Sequence, residues 1–384
     1  MALRRELRWV ALLMAVVVVL AAAVALGLRP PMAPARAAAV PAAEEKLLNI
    51  FTWPDYIAPD TIANFEREYG IKVNYDTYDS TEMAEARLLA GHTGYDLVDH
   101  AERYSARLIP IGVYQPLDKS KLTNWGNLDP WVLQWLDTSD PGNRYGMPYL
   151  WGTTGFTYNE RMIHERMPNA PVTSGDMLFK PEVARKFADC GITFIDEPTD
   201  VIPMAMAYLG HDPNSLDPRD LADVEALLKG VRPYIRYFSS AKMLIDLPNE
   251  EVCVAMSWSG DYSQAMLRAR QAGRPVKLAY TTPREGALAW FDMWFIPADA
   301  PHPNNAHLFL NYLLRPNVIA AISNETRYAS PNTKALPLLL PEVRNDPAVY
   351  PPASVRNRLF KGVLRDPKEE RTRSRLWSRV KARL

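Results

Sequence analysis

The chain has 384 residues, 44 basic and 44 acidic side chains, 48% hydrophobic residues and two cysteines. This length allows two domains with real hydrophobic cores, and the composition excludes an intrinsically disordered chain, a disulfide-scaffold mini-protein and a multi-cysteine zinc module. The net charge of zero argues against a nucleic-acid-binding protein. It hides an excess of about ten acidic residues that remains once the basic segments 1–38 and 361–384 are set aside. The net negative charge of the remaining chain suits cationic partners better than phosphates.

The first segment, residues 1–38, is predicted to be a secretory signal peptide. Three arginines precede an unbroken apolar run from Trp9 to Leu28, and Ala35-Arg36-Ala37 has the small-residue pattern of a cleavage site. The alternative is a retained membrane anchor, because an apolar run of about 20 residues can just cross a bilayer. Either interpretation places the rest of the chain outside the cytoplasm, and a signal peptide predicts a periplasmic protein.

The two cysteines, Cys190 and Cys253, are interpreted according to that compartment. In an oxidising space a pair separated by 63 residues is a candidate disulfide, whereas in the cytosol it would be two buried thiols. A catalytic thiol is not expected, since no histidine falls in a recognisable partner motif.

Strands alternate with helices from residue 47 onward, which predicts a parallel α/β sheet. The second predicted helix, residues 80–90, opens with Asp79 and Glu82, which are spaced as a capping box. The predicted strands and helices of this part are Leu47–Trp53, Pro59–Tyr69, Ile71–Tyr78, residues 80–90 and Tyr95–Val98.

The same pattern recurs further along the chain. Two short apolar runs, Gly191–Ile195 and Val252–Ser257, are predicted to be strands, and Trp290 and Asp292 lie within a further apolar stretch, Leu288–Ile296. Residues 208–230 are predicted to be helical with a proline-rich interruption, and residues 305–322 to form one or two helices interrupted at Pro316.

Aromatic and carboxylate side chains cluster just after the predicted strands. Ligands of open parallel sheets bind beyond the carboxyl ends of the strands, so these positions are candidates for a site. Aromatic faces attract cations and cover methylene chains, while carboxylates neutralise ammonium groups. Each residue alone could equally be core packing or a helix cap, as Asp261 could be, but five such clusters favour a site for an elongated aliphatic amine. The clusters contain Trp53, Asp55 and Tyr56; Glu102, Arg103 and Tyr104; Asp196, Glu197 and Asp200; Trp258 and Asp261; Trp290 and Asp292.

Several long motifs resemble those of bacterial periplasmic polyamine-binding proteins, the putrescine/spermidine receptors of ABC importers. The similarity runs from about residue 47 to the C-terminus and is greatest to the putrescine-type members. The motifs are Phe51–Thr61 (FTWPDYIAPDT), Thr93–Val98 (TGYDLV), Gln115–Lys121 (QPLDKSK), Phe309–Pro316 (FLNYLLRP) and Tyr350–Pro352 (YPP).

The resemblance implies a type II periplasmic-binding-protein fold, in which two α/β lobes joined by a hinge close over a ligand in the cleft between them. Residues 46–150 plus 274–325 are predicted to form lobe 1, and residues 151–273 plus 326–384 lobe 2. It also implies a monomer that binds a polyamine and docks on an ABC transporter permease, with no cofactor and no metal. The two cysteines fall where putrescine-type members carry a disulfide. The implied ligand-binding residues are Trp53, Asp55, Tyr56, Asp200, Trp258, Asp261, Trp290, Asp292 and Tyr328.

The chain departs from the putrescine-type pattern at positions that could change specificity. Asp200 stands in place of a glutamate, and Trp290 resembles spermidine-type members. Arg103 would oppose a polyamine if it pointed into the cleft unpaired, so it is expected either to pair with Glu102 or Glu197 or to face solvent. The possible specificity residues are Pro54, Ala101, Arg103 and Glu197.

Other functions fit the sequence less well. An exported hydrolase with paired carboxylates is the main alternative, but the chain contains no G-x-S-x-G, H-E-x-x-H or Walker-type glycine motif. A receptor of the same fold could bind another cationic amine and serve a sensor. The basic C-terminal tail is predicted to be a solvated helix face or a frayed end, with contact to an anionic membrane or the transporter as the alternative.

Overall fold

The computed structural model describes residues 44–78, 81–363 and 367–382. The predicted signal peptide or anchor and Asp79 of the predicted capping box lie outside the described residues. The strands are β1 Leu47–Thr52, β2 Lys72–Thr77, β3 Leu97–Ala101, β4 Gly146–Asn159, β5 Ile192–Phe194, β6 Ile235–Phe238, β7 Val254–Trp258, β8 Leu278–Thr281, β9 Ala287–Phe295 and β10 Leu359–Lys361.

The helices fill the connections between these strands. They are α1 Thr61–Tyr69, α2 Thr81–Ala90, α3 Glu102–Leu108, α4 Pro130–Leu136, α5 Glu160–Arg166, α6 Asp176–Phe179, α7 Pro181–Ala184, α8 Pro198–Leu209, α9 Pro218–Val231, α10 Met243–Asp246, α11 Ser259–Gln271, α12 Pro303–Leu313, α13 Pro316–Thr326, α14 Pro341–Arg344, α15 Ala353–Arg356 and α16 Pro367–Ala382. Short 3₁₀ turns cover Lys119–Lys121, Trp125–Asn127, Arg185–Phe187, Arg232–Tyr234 and Leu336–Leu338. Within the described ranges, none of the helices is long and apolar enough to span a membrane.

The predicted strands and helices are confirmed, with shifted ends. The shifted end that matters most for the site is that of β3. This strand continues beyond Val98 to Ala101, because all five of its residues are buried between β1 and β9. Pro316 divides the predicted helical stretch into α12 and α13, since proline fits the first turn of a helix and lacks the N–H that an interior position needs.

The strands form one continuous sheet in the order β2-β1-β3-β9-β4-β7-β5-β6, with β10 also paired to β9 and β8 to β4. Strands β1, β2 and β3 are parallel, as are β5, β6 and β7, and each trio forms one α/β half. The long strands β9 and β4 run between the two halves and pair antiparallel with each other.

Strand β4 belongs to both halves of the sheet. Its residues up to Thr153 pair with β9, and from Thr154 onward they pair with β7, with β8 on the same stretch. A Cβ atom on Gly152, at this transition, would lie 2.5 Å from the indole of Trp290, so only glycine fits there. Strand β8 lies within the segment 274–325 predicted for lobe 1, yet it pairs with the second stretch of β4. The lobe boundaries stay a prediction.

Separate hydrophobic cores support the two halves. Leu48 and Ile50 of β1 pack on one face of the first half, and Phe51 packs on the other face, as the alternation of side chains along a strand requires. A further core, which includes Phe194, Val254 and neighbouring helices, supports the second half.

The predicted disulfide between Cys190 and Cys253 is present, with the Cα atoms 5.5 Å apart. It joins the segments that lead into β5 and β7, which are adjacent parallel strands of the second half. In the chain-entropy model, closing a loop of this length contributes about 4 kcal/mol to stability.

The basic C-terminal segment is an ordered part of the second half. Leu376, Trp377 and Val380 of α16 are buried in its core, Arg379 pairs with Glu225, and Lys381 pairs with Asp196. The prediction of a frayed end is therefore wrong for residues 367–382, because an apolar stripe along the helix is covered by the core. The prediction of a solvated helix face is confirmed for Arg371 and Arg375, which are exposed.

Candidate functional site

Six of the nine predicted ligand-binding residues are buried where the two halves of the sheet meet. Trp53 and Trp258 are half-buried, and Asp55 is exposed. The buried six are Tyr56, Asp200, Asp261, Trp290, Asp292 and Tyr328. They come from both halves and from strand β9, which runs between them, so the fold gathers side chains that are far apart in sequence.

Local structure explains how these side chains meet. Trp290 and Asp292 lie on β9, two residues apart, and therefore point to the same face. Asp261 lies in the first turn of α11, directly after β7, and Asp200 in the first turn of α8, after β5. Tyr328 follows α13, whose end Arg327 caps with a left-handed φ of 63°.

Aromatic rings connect two of the buried carboxyl groups. The Tyr56 hydroxyl donates to Oδ2 of Asp292 at 2.6 Å, and the Tyr328 hydroxyl donates to Oδ1 of Asp261 at 2.9 Å. The two tyrosine rings meet edge to face with centroids 5.9 Å apart, and Trp290 lies 5.1 Å from Tyr328. Gly260 makes this possible, because a Cβ there would lie 2.3 Å from the Tyr328 ring.

Several polar atoms of this cluster are buried without a hydrogen-bond partner among the described residues. They include Oδ2 of Asp261, Oδ1 of Asp99, Oδ1 of Asp200 and Nε1 of Trp290. A buried carboxylate oxygen without a donor costs free energy, so each one calls for an explanation such as a bound water, an ion or a ligand. Oxygens of this kind beside aromatic faces suit an organic cation.

The sequence analysis missed Asp99. Its side chain is fully buried, and its Oδ2 accepts a hydrogen bond from the Thr52 hydroxyl at 3.0 Å. Burial and the nearby Asp292 raise the pKa of Asp99 well above its usual range. Asp99 directly follows the predicted strand Tyr95–Val98, so its position alone made it a candidate for the site.

The protonation of the other carboxyl groups is also shifted. Burial raises the pKa of Asp261 to about 7 against the opposing effect of the Tyr328 hydrogen bond. Burial raises the pKa of Asp292 to about 6, while the Tyr56 hydrogen bond and the Arg103 charge lower it. Burial raises the pKa of Glu102 to about 7, and its Oε2 accepts the backbone N–H of Phe291 at 3.0 Å.

For the ammonium ligand that the family resemblance implies, these shifts predict release in mild acid. Asp261 and Asp292, with pKa values of about 7 and about 6, must lose their protons to pair with ammonium groups, whereas aliphatic ammonium groups stay charged up to a pH of about 10. Affinity should therefore fall on the order of a hundredfold or more from pH 8 to pH 5. Calorimetry across this range should measure the loss, and buffers of different ionisation enthalpy should reveal proton release on binding at pH 6.5. An affinity that does not change with pH would contradict the assignment.

Arg103 is buried and points at Asp200. Its Nη2 lies 3.3 Å from Oδ1 of Asp200, whose Oδ2 accepts hydrogen bonds from the Thr154 hydroxyl at 2.6 Å and from Trp258 Nε1 at 2.8 Å. The expectation that Arg103 faces solvent is wrong. Its side chain reaches from α3 to α8, so the ion pair forms with Asp200 instead of the expected glutamates.

The two glutamates act on Arg103 from a distance. The Arg103 pKa lies above its usual value. The negative charge of Asp200 contributes most to this rise, and the charges of Glu102 and Glu197 raise the pKa further. Glu197 is half-buried and directly precedes α8.

The remaining predicted residues lie at the margin of the cluster. Pro54 and Asp55 are exposed, and Asp55 has a left-handed φ of 54°. Trp53 packs on Tyr78 with ring centroids 4.5 Å apart. Ala101 is buried opposite Asp292 in the β3–β9 register. A direct role for Asp55 in binding stays a prediction.

A two-half α/β chain whose incompletely paired carboxyl groups meet between the halves has the form of a ligand-binding protein. Residues 60–351 match the family model described as bacterial extracellular solute-binding protein. The chain belongs to this family.

Individual relatives agree with that assignment. The chain is 48% identical to the putrescine-binding periplasmic protein PotF of Escherichia coli, over 89% of this chain and 93% of the relative. It is 44% identical to the putrescine-binding periplasmic protein SpuD of Pseudomonas aeruginosa, over 89% and 93%.

Solved structures confirm the predicted type II periplasmic-binding-protein fold. A putative spermidine/putrescine ABC transporter from Listeria monocytogenes is similar with a TM-score of 0.78 and 30% identity, over 88% of this chain and 99% of the other. The spermidine/putrescine ABC transporter substrate-binding protein PotD of Streptococcus pneumoniae is similar with a TM-score of 0.75 and 29% identity, over 88% and 99%.

Proposed function

We propose that this protein is a periplasmic receptor that captures a polyamine, a putrescine-like di- or triamine, and delivers it to the permease of an ABC importer. The observation that carries the proposal is the pair Asp261 and Asp292, buried and connected by the rings of Tyr56 and Tyr328. Relatives named as putrescine-binding periplasmic proteins support the same ligand class.

The proposed mechanism couples ligand charge to closure of the lobes. Without ligand, the carboxylates of the opposing walls repel one another and favour separation. Ammonium groups neutralise both walls, and the aromatic rings cover the methylene groups between them. The proposed ligand contacts are the nine residues named in the sequence analysis, with Asp99 added and with the charge of Asp200 already paired with Arg103. Pro54 at the rim and Ala101 opposite Asp292 are proposed to adjust the fit.

We further propose that binding is the whole chemical task and that the protein is not an enzyme. The named relatives are binding proteins, and several carboxylate oxygens of the site are buried without a hydrogen-bond partner among the described residues, which suits the binding of a cation. The ligand should therefore be recovered unchanged after incubation with the protein.

Isothermal titration tests the proposal directly. Purified protein freed of ligand by unfolding and refolding would be titrated with putrescine, cadaverine, spermidine, spermine and agmatine. We expect saturable one-site binding of at least one of them, a matching rise in melting temperature and unchanged ligand by chromatography. Failure of all five to bind, or conversion of any of them, would reject the function.

Agmatine belongs in that series for a specific reason. The chain is 42% identical to a relative named putrescine/agmatine-binding protein in Pseudomonas aeruginosa. Agmatine has an ammonium group at one end and a guanidinium group at the other, so its affinity relative to putrescine reports how the second end of the ligand is held.

A further inference from the structure

The ion pair between Arg103 and Asp200 crosses the site and has a consequence for ligand choice. Strands β3 and β5, which lead into the helices that carry Arg103 and Asp200, lie on opposite sides of the β9–β4 pair. The pair therefore joins the two halves. Both side chains are buried, with exposed fractions of 9% and 0%.

Groups of the protein itself lie against both carboxylate oxygens of Asp200. Its Oδ2 accepts hydrogen bonds from Thr154 and Trp258. Its Oδ1 makes no hydrogen bond to the described residues but lies 3.3 Å from Nη2 of the Arg103 guanidinium, which neutralises its charge. A guanidinium keeps its charge at every physiological pH, so Arg103 is a permanent cation at this end of the site. The Arg103 Nε is buried with no hydrogen-bond partner among the described residues.

Resting on the proposed polyamine function, we propose that Arg103 sets the charge of the preferred ligand. The guanidinium occupies, at Asp200, the counter-ion position that a further ammonium group would need. The ligand's charges are then confined to the end of the site formed by Asp261, Asp292 and Asp99. The site selects a diamine and discriminates against a triamine.

Charge and not space is the basis of the selection. The cluster around the ion pair contains five buried carboxyl groups and one buried cation: Asp99, Glu102, Asp200, Asp261, Asp292 and Arg103. Removing the cation leaves one carboxylate without its partner, and a third ammonium group can then pair with it. Removing Arg103 and Asp200 together keeps the balance of charge while creating at least as much space.

This difference supplies the test. The dissociation constants of putrescine and spermidine would be measured by calorimetry for the wild type, Arg103→Gln, Arg103→Lys and the double variant Arg103→Gln/Asp200→Asn. In Arg103→Gln the affinity for spermidine relative to putrescine should rise about tenfold or more, since a desolvated charge pair is gained. The lysine variant and the double variant should keep the wild-type ratio within about threefold.

The outcomes separate the possible explanations. An unchanged ratio in Arg103→Gln, or a double variant that behaves like Arg103→Gln, would overturn the proposal, the latter because space would then decide. Tighter binding of 4-aminobutanoate than of putrescine by the wild type would also overturn it, because Arg103 would then receive a carboxylate. If the wild type binds no polyamine, the proposed function itself fails.

A further variant tests the proposal in case Arg103→Gln folds poorly. Asp200→Asn leaves the arginine without its counter-ion, so the spermidine affinity relative to putrescine should fall about tenfold below the wild-type ratio. A ratio that rises or stays unchanged in this variant would count against the proposal.

Discussion

Replacing one ammonium group of the proposed diamine ligand with a hydrogen atom should weaken binding by roughly a hundredfold to a thousandfold. 1-Aminobutane has the chain length of putrescine but leaves Asp261 or Asp292 buried without a charged partner. Removing one member of a buried ion pair costs about 3–5 kcal/mol, and every 1.4 kcal/mol is about a tenfold change in affinity. Competitive titration against putrescine would measure the difference.

An analogue with one ammonium group and one uncharged polar end provides the control for this result. 4-Amino-1-butanol has the same number of backbone atoms as putrescine and a hydroxyl group that can donate one hydrogen bond. Its affinity should lie between those of 1-aminobutane and putrescine, because a hydrogen bond without charge recovers only part of the interaction. Equal affinities of the monoamine and the diamine would reject the charge-based mechanism.

Asp261→Asn should lose polyamine binding by about a hundredfold while it stabilises the ligand-free protein at pH 8. Burial raises the pKa of Asp261 to about 7, above the usual value for an aspartate. The folded state therefore holds this proton more tightly than the unfolded state, so the group's contribution to stability is present in acid and is lost as the pH rises through about 7. Asparagine keeps an acceptor for Tyr328 without a charge, and the net gain should be about 1–2 kcal/mol after the cost of a buried amide N–H.

Urea unfolding of the ligand-free proteins at pH 5 and pH 8 would measure this effect. The variant should gain stability relative to the wild type at pH 8 and little at pH 5. Asp299→Asn changes an exposed aspartate after β9 and should match the wild type in both stability and binding. A variant that binds normally, or that loses stability at pH 8, would show that Asp261 has a structural role only.

The sequence predicts the fold well because its signals are local. The apolar run at Leu47 and the amphipathic helix that ends at Gly70 follow from spacing alone, and the structure confirms both. The exact end of β3 does not follow from spacing. Asp99 and His100 are polar, and only their burial between β1 and β9 makes them part of the strand.

The sequence predicts which residue types form the site but not which side chains pair with one another. Tyr56, Asp261 and Asp292 come together as the aromatic–carboxylate pattern and the family resemblance suggest. The partner of Arg103 could not be predicted, because it depends on how far α3 lies from α8 across the sheet. The exposure of Asp55 likewise depends on a left-handed turn after β1 that its neighbours in sequence do not specify.

The passage of β4 from one half of the sheet to the other bears on the proposed closure of the lobes. Hydrogen bonds hold this strand to β9 up to Thr153 and to β7 beyond it, so we expect a change of angle between the halves to change the backbone torsions near Gly152. Gly152 packs against the Trp290 indole, so in the proposed mechanism a ligand that contacts this ring lies next to the point where β4 changes partners.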